Sequence, residues 1–234
     1  MAAFSEFSNR LPDPNYSIEE TGKGGSGTVG PGFASVKFSS NQPVALSRTN
    51  SGRVTTRAIV GQNWRISITY NPMTRDEFEP IYNFLQERRG RLKPFEVVLP
   101  QYTSPRSTVT STIAVDGEIT AGATNFMVDG VTSGSLRPGD MFNFTDSNNS
   151  NHKKVYQVTR VLTNSDYLTG GTQPTDGNHR IYYVTPPVEK TVANDSTLDY
   201  TPTFRVIQNS DIVEYSLGTN NLYQYSLSLE EAQP

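Results

Sequence analysis

Apolar and polar residues alternate most regularly in the segment 62–100, which sets the fold prediction for the chain. Four large apolar residues occupy alternate positions near its start: Trp64, Ile66, Ile68 and Tyr70. A period of two predicts a strand with one buried face and one solvated face. The pair Asn71-Pro72 ends this strand, and Phe95–Leu99 predicts a second one.

Between these two strands the apolar spacing changes to that of a helix. Four apolar residues fall on a single helical face: Phe78, Ile81, Tyr82 and Leu85. Thr74 and Glu77 fit a capping box, in which each side chain bonds a free backbone N–H of the first turn. Pro80 has no N–H to donate, so either the first turn is irregular or the helix starts at Pro80. Gly90 is expected in the left-handed position that ends the helix.

Further strands are predicted on both sides of this centre: Phe33–Phe38, Pro43–Arg48, Arg53–Ile59, Thr203–Gln208, Ile212–Leu217 and Leu222–Leu229. Residues 1–32 contain many glycines and prolines with little apolar periodicity, which indicates an extended N-terminal arm. Such an arm either docks on a neighbouring subunit, which supplies the burial it lacks, or forms a flexible tail. Glu230 and Glu231 are expected to be a solvated end of the last strand.

Residues 113–185 have the pattern of an inserted domain. About five short strands are predicted in it. Two belong to a repeated signature of a strand and an Asp-Gly turn, Ile113–Gly117 and Phe126–Gly130, and the others are Met141–Phe144, Lys154–Leu162 and Arg180–Val184. The sequence therefore predicts an all-β fold with one inserted α-helix. A β-sandwich or barrel is expected at 33–112 plus 186–234, and a smaller inserted β domain at 113–185.

Composition agrees with this fold class and excludes several functions. The 18 glycines and 15 prolines among 234 residues are typical of short strands joined by turns. A net charge of −3 argues against a general nucleic-acid binder, which normally has an excess of basic residues. Without cysteine, disulfides and thiolate metal sites are excluded. We find neither a secretion signal nor a run of about 20 apolar residues, so we expect cytoplasmic synthesis and no membrane insertion.

A glycine pattern and several polar residues are candidates for chemical sites. Gly22, Gly24 and Gly27 match the dinucleotide-binding spacing, but they neither follow a predicted strand nor open a helix, so we interpret them as a flexible loop. His152 and His179 are too few for a zinc site and are expected to be exposed loop residues. An oxygen-rich group lacks the spacing of an EF-hand and indicates calcium only weakly: Asp140, Asp146, Asn148 and Asn151. We therefore predict no cofactor, no metal and no enzymatic activity.

The order of features in the central segment resembles a known family. A strand carrying Trp64 is followed by a helix ending in Phe84-Leu85-x-x-Arg88-Arg89-Gly90-Arg91, and Pro94-Phe95 then leads into a strand that ends at Pro100. This order is similar to that of the tail-tip proteins of long-tailed bacteriophages, the distal tail and lambda-like minor tail protein family. The close of the chain, Tyr223–Glu231, also resembles the strand and acidic ending common in that family.

The resemblance implies a structural virion protein at the phage tail tip, made in the host cytoplasm. Proteins of this family form a ring, usually of six subunits, that connects the tail tube to the hub or baseplate and its fibres. The implied partners are further copies of this chain, the tail tube protein, and the hub, baseplate and fibre proteins. No catalytic residues are implied, since the family's role is assembly.

Two interpretations apply to the basic residues at the end of the helix: Arg88, Arg89, Arg91 and Lys93. They complement the negative end of the helix dipole, or they pair with acidic residues of an adjacent subunit across an interface. The alternative function for the whole chain is a carbohydrate- or receptor-binding module of the tail, which would use the polar loops 145–153 and 163–179.

Overall fold

The computed structural model describes residues 8–19, 22–26, 29–59, 61–166 and 173–232. These residues fall into two compact units. The first, here called the sheet unit, lies within residues 1–97 and 205–233, and the second, the barrel unit, within 98–204. The barrel unit is wider on both sides than the segment 113–185.

Strands dominate both units, and the predicted all-β fold with a single α-helix is confirmed for the described residues. Before the barrel unit the chain forms β1 (Tyr16–Ile18), β2 (Gly24–Ser26), β3 (Phe33–Asn41), β4 (Val44–Arg48), β5 (Val54–Ala58), β6 (Asn63–Tyr70), α1 (Arg75–Arg88) and β7 (Phe95–Val98). The barrel strands are β8 (Ala114–Val115), β9 (Asn125–Asp129), β10 (Met141–Thr145), β11 (Val155–Leu162), β12 (Arg180–Thr185) and β13 (Thr197–Asp199). The last strands are β14 (Thr203–Gln208), β15 (Ser216–Leu217), β16 (Tyr223–Gln224) and β17 (Ser226–Glu231).

The sheet unit is built on a five-stranded sheet in the order β3-β6-β17-β14-β7. The alternating residues of β6 are buried as predicted, and each is at most 2% exposed: Trp64, Ile66, Ile68 and Tyr70. The neighbouring β17 and β14 bury alternate residues on the same principle, which completes one apolar face of the sheet.

Helix α1 covers apolar surface in the sheet unit through the predicted stripe. Phe78, Ile81 and Leu85 are buried, and the Phe84 ring meets the Phe95 ring edge-on at 5.4 Å. On β14, the Gln208 side chain donates a hydrogen bond to the carbonyl of Leu85 at 3.3 Å. That bond satisfies one of the four carbonyls that a helix C-terminus leaves unpaired.

Both ends of α1 follow the local sequence. The Glu77 carboxylate accepts hydrogen bonds from the backbone N–H and the hydroxyl of Thr74, at 2.9 and 3.0 Å. Because the helix begins at Arg75, the alternative in which it starts at Pro80 is wrong. At the other end Arg89 is left-handed with φ 53°, and the predicted Gly90 is also left-handed with φ 63°.

The described part of the N-terminal segment packs within its own unit. The backbone N–H of Leu11 donates to the carbonyl of Glu96 at 2.8 Å, and the N–H of Glu96 donates to the carbonyl of Asn9 at 2.7 Å. These bonds place the segment along β7, an edge strand of the sheet, and Leu11 is 1% exposed. Burial therefore does not require a neighbouring subunit for the described residues of 8–19.

The barrel unit contains a closed six-stranded barrel in the order β10-β11-β12-β9-β8-β13. Its core is a cluster of apolar side chains that includes Val128, Phe142, Tyr156 and Tyr182. The Asp-Gly turns predicted after β8 and β9 have left-handed glycines. A side chain at Gly130 would place its Cβ 2.4 Å from the carbonyl oxygen of Thr112, so this close approach requires glycine.

Two predictions at the end of the chain are wrong. Only Ser216–Leu217 of the predicted strand Ile212–Leu217 is a strand. These two residues pair with the short β16, and this pairing does not extend to residues 212–215. Glu231 is 5% exposed, because its Oε2 accepts the buried N–H of Trp64 at 3.1 Å. Glu230 is half-buried and accepts a hydrogen bond from Asn63.

Candidate functional site

Strands β4 and β5 form a two-stranded ribbon that continues the β3–β6 hairpin. The β3–β6 pairing ends at Asn41 opposite Asn63, and β4 begins at Val44 opposite Ala58. We call residues 44–58 the ribbon; every residue from 44 to 57 is exposed. Isolated two-stranded hairpins are marginally stable in water, so the ribbon gains stability when another surface covers it.

One face of the ribbon is apolar and its overall charge is positive. Residues opposite one another in an antiparallel pair share a face, and the register places Val44, Leu46 and Val54 together. They are 53%, 60% and 47% exposed. The ribbon has no acidic residue and three basic ones: Arg48, Arg53 and Arg57. An exposed apolar face of this kind indicates a protein contact.

A groove with the opposite charge lies elsewhere in the sheet unit. It has a volume of about 480 Å³ and is bounded by α1 and the N-terminal segment, with apolar lining from Ile18, Pro80 and Phe84. Four carboxylates also line it: Glu19, Asp76, Glu79 and Glu87. The last three share one side of α1, because their spacings of three and eight residues bring them back to the same face. We call this feature the acidic groove.

Arg88 is bonded inside its own unit. The residue is 9% exposed, and its guanidinium donates to the carbonyl of Ser8 at 2.6 Å and to Oδ1 of Asn9 at 3.0 Å. It also lies 4.7 Å from the centre of the Phe84 ring, within cation–π distance. The side chain therefore ties the N-terminal segment to α1.

The other three basic residues named from the sequence are exposed: Arg89, Arg91 and Lys93. Arg91 donates to the carbonyl of Asn209 at 2.5 Å, and its Nε lies 3.8 Å from Asp211. The fold thus brings the four predicted residues to one turn but assigns Arg88 to the interior.

The expectation that His152 is exposed is wrong. His152 is 1% exposed, its ring is 5.6 Å from that of Phe144, and its Nε2 lies 2.7 Å from the hydroxyl of Tyr156. That hydroxyl also accepts the backbone N–H of Glu189 at 3.0 Å, so Tyr156 links the imidazole to the segment that follows β12. Burial lowers the pKa of His152 to about 4; Asp146 opposes the shift and Lys190 adds to it.

The second histidine and the oxygen-rich group have local structural roles. His179 Nδ1 lies 2.6 Å from Oδ1 of Asp176, and hydrogen bonds with His179 are the main reason that the pKa of Asp176 is lowered. The Asp140 carboxylate accepts backbone N–H groups of Arg106 and Arg137. The Asp146 carboxylate accepts that of Asn148. Within the described ranges no group of three or more His, Cys, Asp or Glu residues is placed to hold a metal ion.

The glycine pattern has no phosphate-binding geometry in its described part. Gly24 begins β2, which pairs with β1 in a short hairpin, and Gly27 lies outside the described residues. In addition, no helix among the described residues has the length and apolar character needed to span a membrane.

Sequence reasoning located the strands of the ribbon but not its exposure, and it missed the acidic groove. Two signals were present in the sequence. One is the absence of acidic residues from 44 to 58 beside three arginines. The other is the spacing of Asp76, Glu79 and Glu87, which places three carboxylates on one side of α1. Neither signal reveals which surface is covered, since that depends on long-range packing.

An exposed apolar ribbon and an acidic groove are surfaces typical of protein contacts, and comparisons with known proteins point to a protein that assembles with others. Residues 11–102 match the family model for the N-terminal part of the A domain of distal tail protein pb9. The chain is also 27% identical over 226 residues to distal tail protein pb9 of Escherichia phage T5, covering 95% of this chain and 99% of the relative. The resemblance to distal tail proteins drawn from the sequence is thereby confirmed, and it supports a structural role in a phage tail.

Proposed function

We propose that this chain forms a closed ring at the phage tail tip that connects the tail tube to the hub or baseplate and its fibres. The observation that carries the proposal is the exposed ribbon, whose apolar face has no cover among the described side chains. Similarity to a distal tail protein supports the position at the tail tip. We assign the ring six subunits, following the number usual in the family.

The contact that builds the ring is the ribbon of one subunit in the acidic groove of the next. Ribbon and groove are different surfaces, so the contact is heterologous and repeats around an axis until the ring closes. The ribbon has three arginines, of which Arg48 shares the apolar face, and the groove has four carboxylates. Guanidinium groups suit such partners because a planar guanidinium can donate two parallel hydrogen bonds to one carboxylate.

Apolar burial adds to this contact. Val44, Leu46 and Val54 are each about half exposed, so covering them contributes on the order of 1 kcal/mol apiece. We assign Arg89, Arg91 and Lys93 to a separate contact with acidic residues of an adjacent subunit, since all three are exposed and the ribbon has no carboxylate to pair with them. Arg88 is left out because its side chain is buried and bonded to Ser8 and Asn9 of the same subunit.

Mass photometry of the purified protein tests the ring. Six copies of the 25.9 kDa chain give a particle of roughly 155 kDa. Leu46→Asp places a charge on the apolar face of the ribbon and is expected to leave monomers. Ile212→Asp is the matched control, because Ile212 is 67% exposed in the same unit but lies outside the ribbon. If the Leu46→Asp variant still forms rings, the ribbon contact is refuted.

A charge exchange tests the groove separately. Arg48→Glu alone and Glu87→Arg alone are each expected to weaken the ring, because Arg48 lies opposite Val54 on the apolar face, and the double variant is expected to restore it. If wild-type rings form but the double variant is no better than the single variants, the ring stands and the groove is the wrong partner. If the wild-type chain forms no ring even when its tail tube protein is added, the proposed function itself fails.

The role of the N-terminus requires a deletion that leaves the folded part intact. Removing residues 1–32 would also remove Leu11 and the partners of Arg88, so it would damage the sheet unit itself. Removing only residues 1–7 preserves these contacts. If this shorter deletion dissociates the ring, the N-terminus links neighbouring subunits.

We assign the tube contact to the sheet unit and the contacts with hub, baseplate and fibre proteins to the barrel unit. Lysine crosslinking of assembled tails followed by mass spectrometry tests this division, because lysines occur in both units. Lys37 and Lys93 should link to other copies or to the tube protein, whereas Lys153 and Lys190 should link to peripheral proteins. The reverse pattern would contradict the assignment.

A further inference from the structure

A second cavity in the sheet unit is used by neither the ribbon nor the acidic groove. It has a volume of about 680 Å³ and lies where β6 ends and the β15–β16 hairpin begins. Its lining includes Thr69 and Tyr70 from the end of β6 and Glu214, Tyr215 and Tyr225 from the C-terminal part of the unit. This volume is within the range of about 300–1,000 Å³ that is typical of small-ligand sites.

The cavity has an aromatic wall with a fixed, accessible ring. Tyr215 is 50% exposed, yet its ring contacts those of Phe78, Tyr82 and Tyr223 at 5.0, 5.6 and 5.6 Å. Phe78 and Tyr223 are themselves stacked at 4.6 Å with an interplanar angle of 12°. Tyr215 is therefore held by a packed cluster while part of its surface stays open to a ligand, which reduces the entropy lost when a ligand stacks on it.

Polar groups also line the cavity, and none of them is cationic. Hydroxyl, amide and carboxylate groups come from Thr69, Glu214, Gln224 and Ser226, and the hydroxyls of Thr69 and Ser226 are 3.3 Å apart. No lysine or arginine is among the lining residues. Anionic ligands such as phosphates are disfavoured, since their recognition relies on guanidinium or ammonium donors. A neutral ligand rich in hydroxyl groups fits this lining.

We propose that this cavity binds a neutral saccharide of one or two sugar rings. The apolar C–H face of a pyranose stacks on Tyr215, because the face of an aromatic ring is electron-rich and attracts polarised C–H groups. The sugar hydroxyls exchange hydrogen bonds with Glu214, Gln224 and Ser226. The ribbon of a neighbouring copy is the poorer occupant, since it carries three arginines and this cavity offers one carboxylate against four in the acidic groove.

Saturation-transfer NMR with the full chain tests the proposal. The probes are millimolar maltose, cellobiose, lactose and diacetylchitobiose, with sialyllactose as a charged comparison. At least one neutral disaccharide is expected to show transfer, strongest at the ring protons of one pyranose face. Tyr215→Ala should reduce the signal at least fivefold and Tyr215→Phe should retain it. Leu217→Ala is the matched control, because Leu217 is 54% exposed on β15 but does not line the cavity.

Glu214→Gln and Ser226→Ala provide a second test that does not disturb the aromatic cluster, since both residues are exposed. Each is expected to weaken sugar binding while the emission of Trp64, the single tryptophan of the chain, stays unchanged. The proposal is overturned if no neutral disaccharide shows transfer or if Tyr215→Ala leaves the transfer intact. It is also overturned if Tyr215→Ala changes only the oligomer distribution, which would make the cavity a contact between subunits.

Discussion

Lowering the pH from 7 to 5 is expected to destabilise the barrel unit through His152. The imidazole is buried with its Nε2 facing the hydroxyl of Tyr156, and burial lowers its pKa to about 4. In the unfolded chain the pKa returns to the ordinary value of about 6.5. Between these two values the unfolded chain binds a proton that the folded barrel does not, so stability falls as the pH drops from 6.5 to 4.

The size of the effect follows from the two pKa values. One pKa unit corresponds to about 1.4 kcal/mol, so the free energy of unfolding should drop by about 2 kcal/mol at pH 5 and about 3 kcal/mol at pH 4. More than about one unit above pH 6.5 both states are neutral at this residue and the effect vanishes. His152→Gln has no titrating group, and it is expected to lose this part of the pH dependence while being less stable at pH 7.

The assay must distinguish the two units. Trp64 lies in the sheet unit, so its fluorescence during urea unfolding reports that unit and is an internal reference. Barrel unfolding is followed by hydrogen-exchange mass spectrometry, with a brief deuterium pulse after equilibration in urea at each pH. His179→Gln is the matched control, since His179 is only partly buried. Equal losses of barrel stability in wild type and His152→Gln between pH 7 and pH 5 would refute the reasoning.

Three further substitutions test contacts that hold each unit together. Arg88→Ala removes two hydrogen bonds and a ring contact, and should cost about 2–3 kcal/mol in urea unfolding followed by Trp64 fluorescence; a loss under 0.5 kcal/mol would contradict its internal role. Glu231→Ala leaves the buried N–H of Trp64 without this acceptor and should cost about 1–3 kcal/mol by the same measurement; no change would show that another group replaces it. Gly130→Ala should lower the barrel melting temperature by several degrees more than Gly117→Ala, because only the former meets a carbonyl; equal shifts would contradict this.

Local patterns determined most of the secondary structure. The alternation in β6, the capping box of α1 and the Asp-Gly turns of the barrel each depend on residues a few positions apart, and all three were predictable. Pro80 left two alternatives for the helix start, because its missing donor restricts the helix without deciding where it begins. The similarity to distal tail proteins was also readable, since the order of strand, helix and strand lies in one continuous segment.

His152 shows where local reasoning fails. It follows a polar stretch, 145–151, that has the composition of an exposed loop. The rings of Phe144 and Tyr156 nevertheless enclose it, because the strands on either side of the stretch pair with each other and draw the loop's end into the barrel. A polar neighbourhood in sequence predicts solvent only when no core residue lies close in space.

The sequence by itself determined the elements, the fold class and the family resemblance, since these depend on periodicity and on the order of neighbouring residues. Only the tertiary structure decided which charges are available. The four cations Arg88, Arg89, Arg91 and Lys93 are equivalent in sequence, but a segment some 80 residues earlier returns to bury the first and leaves the others exposed. In the same way, the strands of the ribbon could be predicted from the local sequence. Their exposure could not, because it depends on where every other element of the unit packs. Exposure is a property of the whole packed chain, so the surfaces from which function is inferred had to come from the structure.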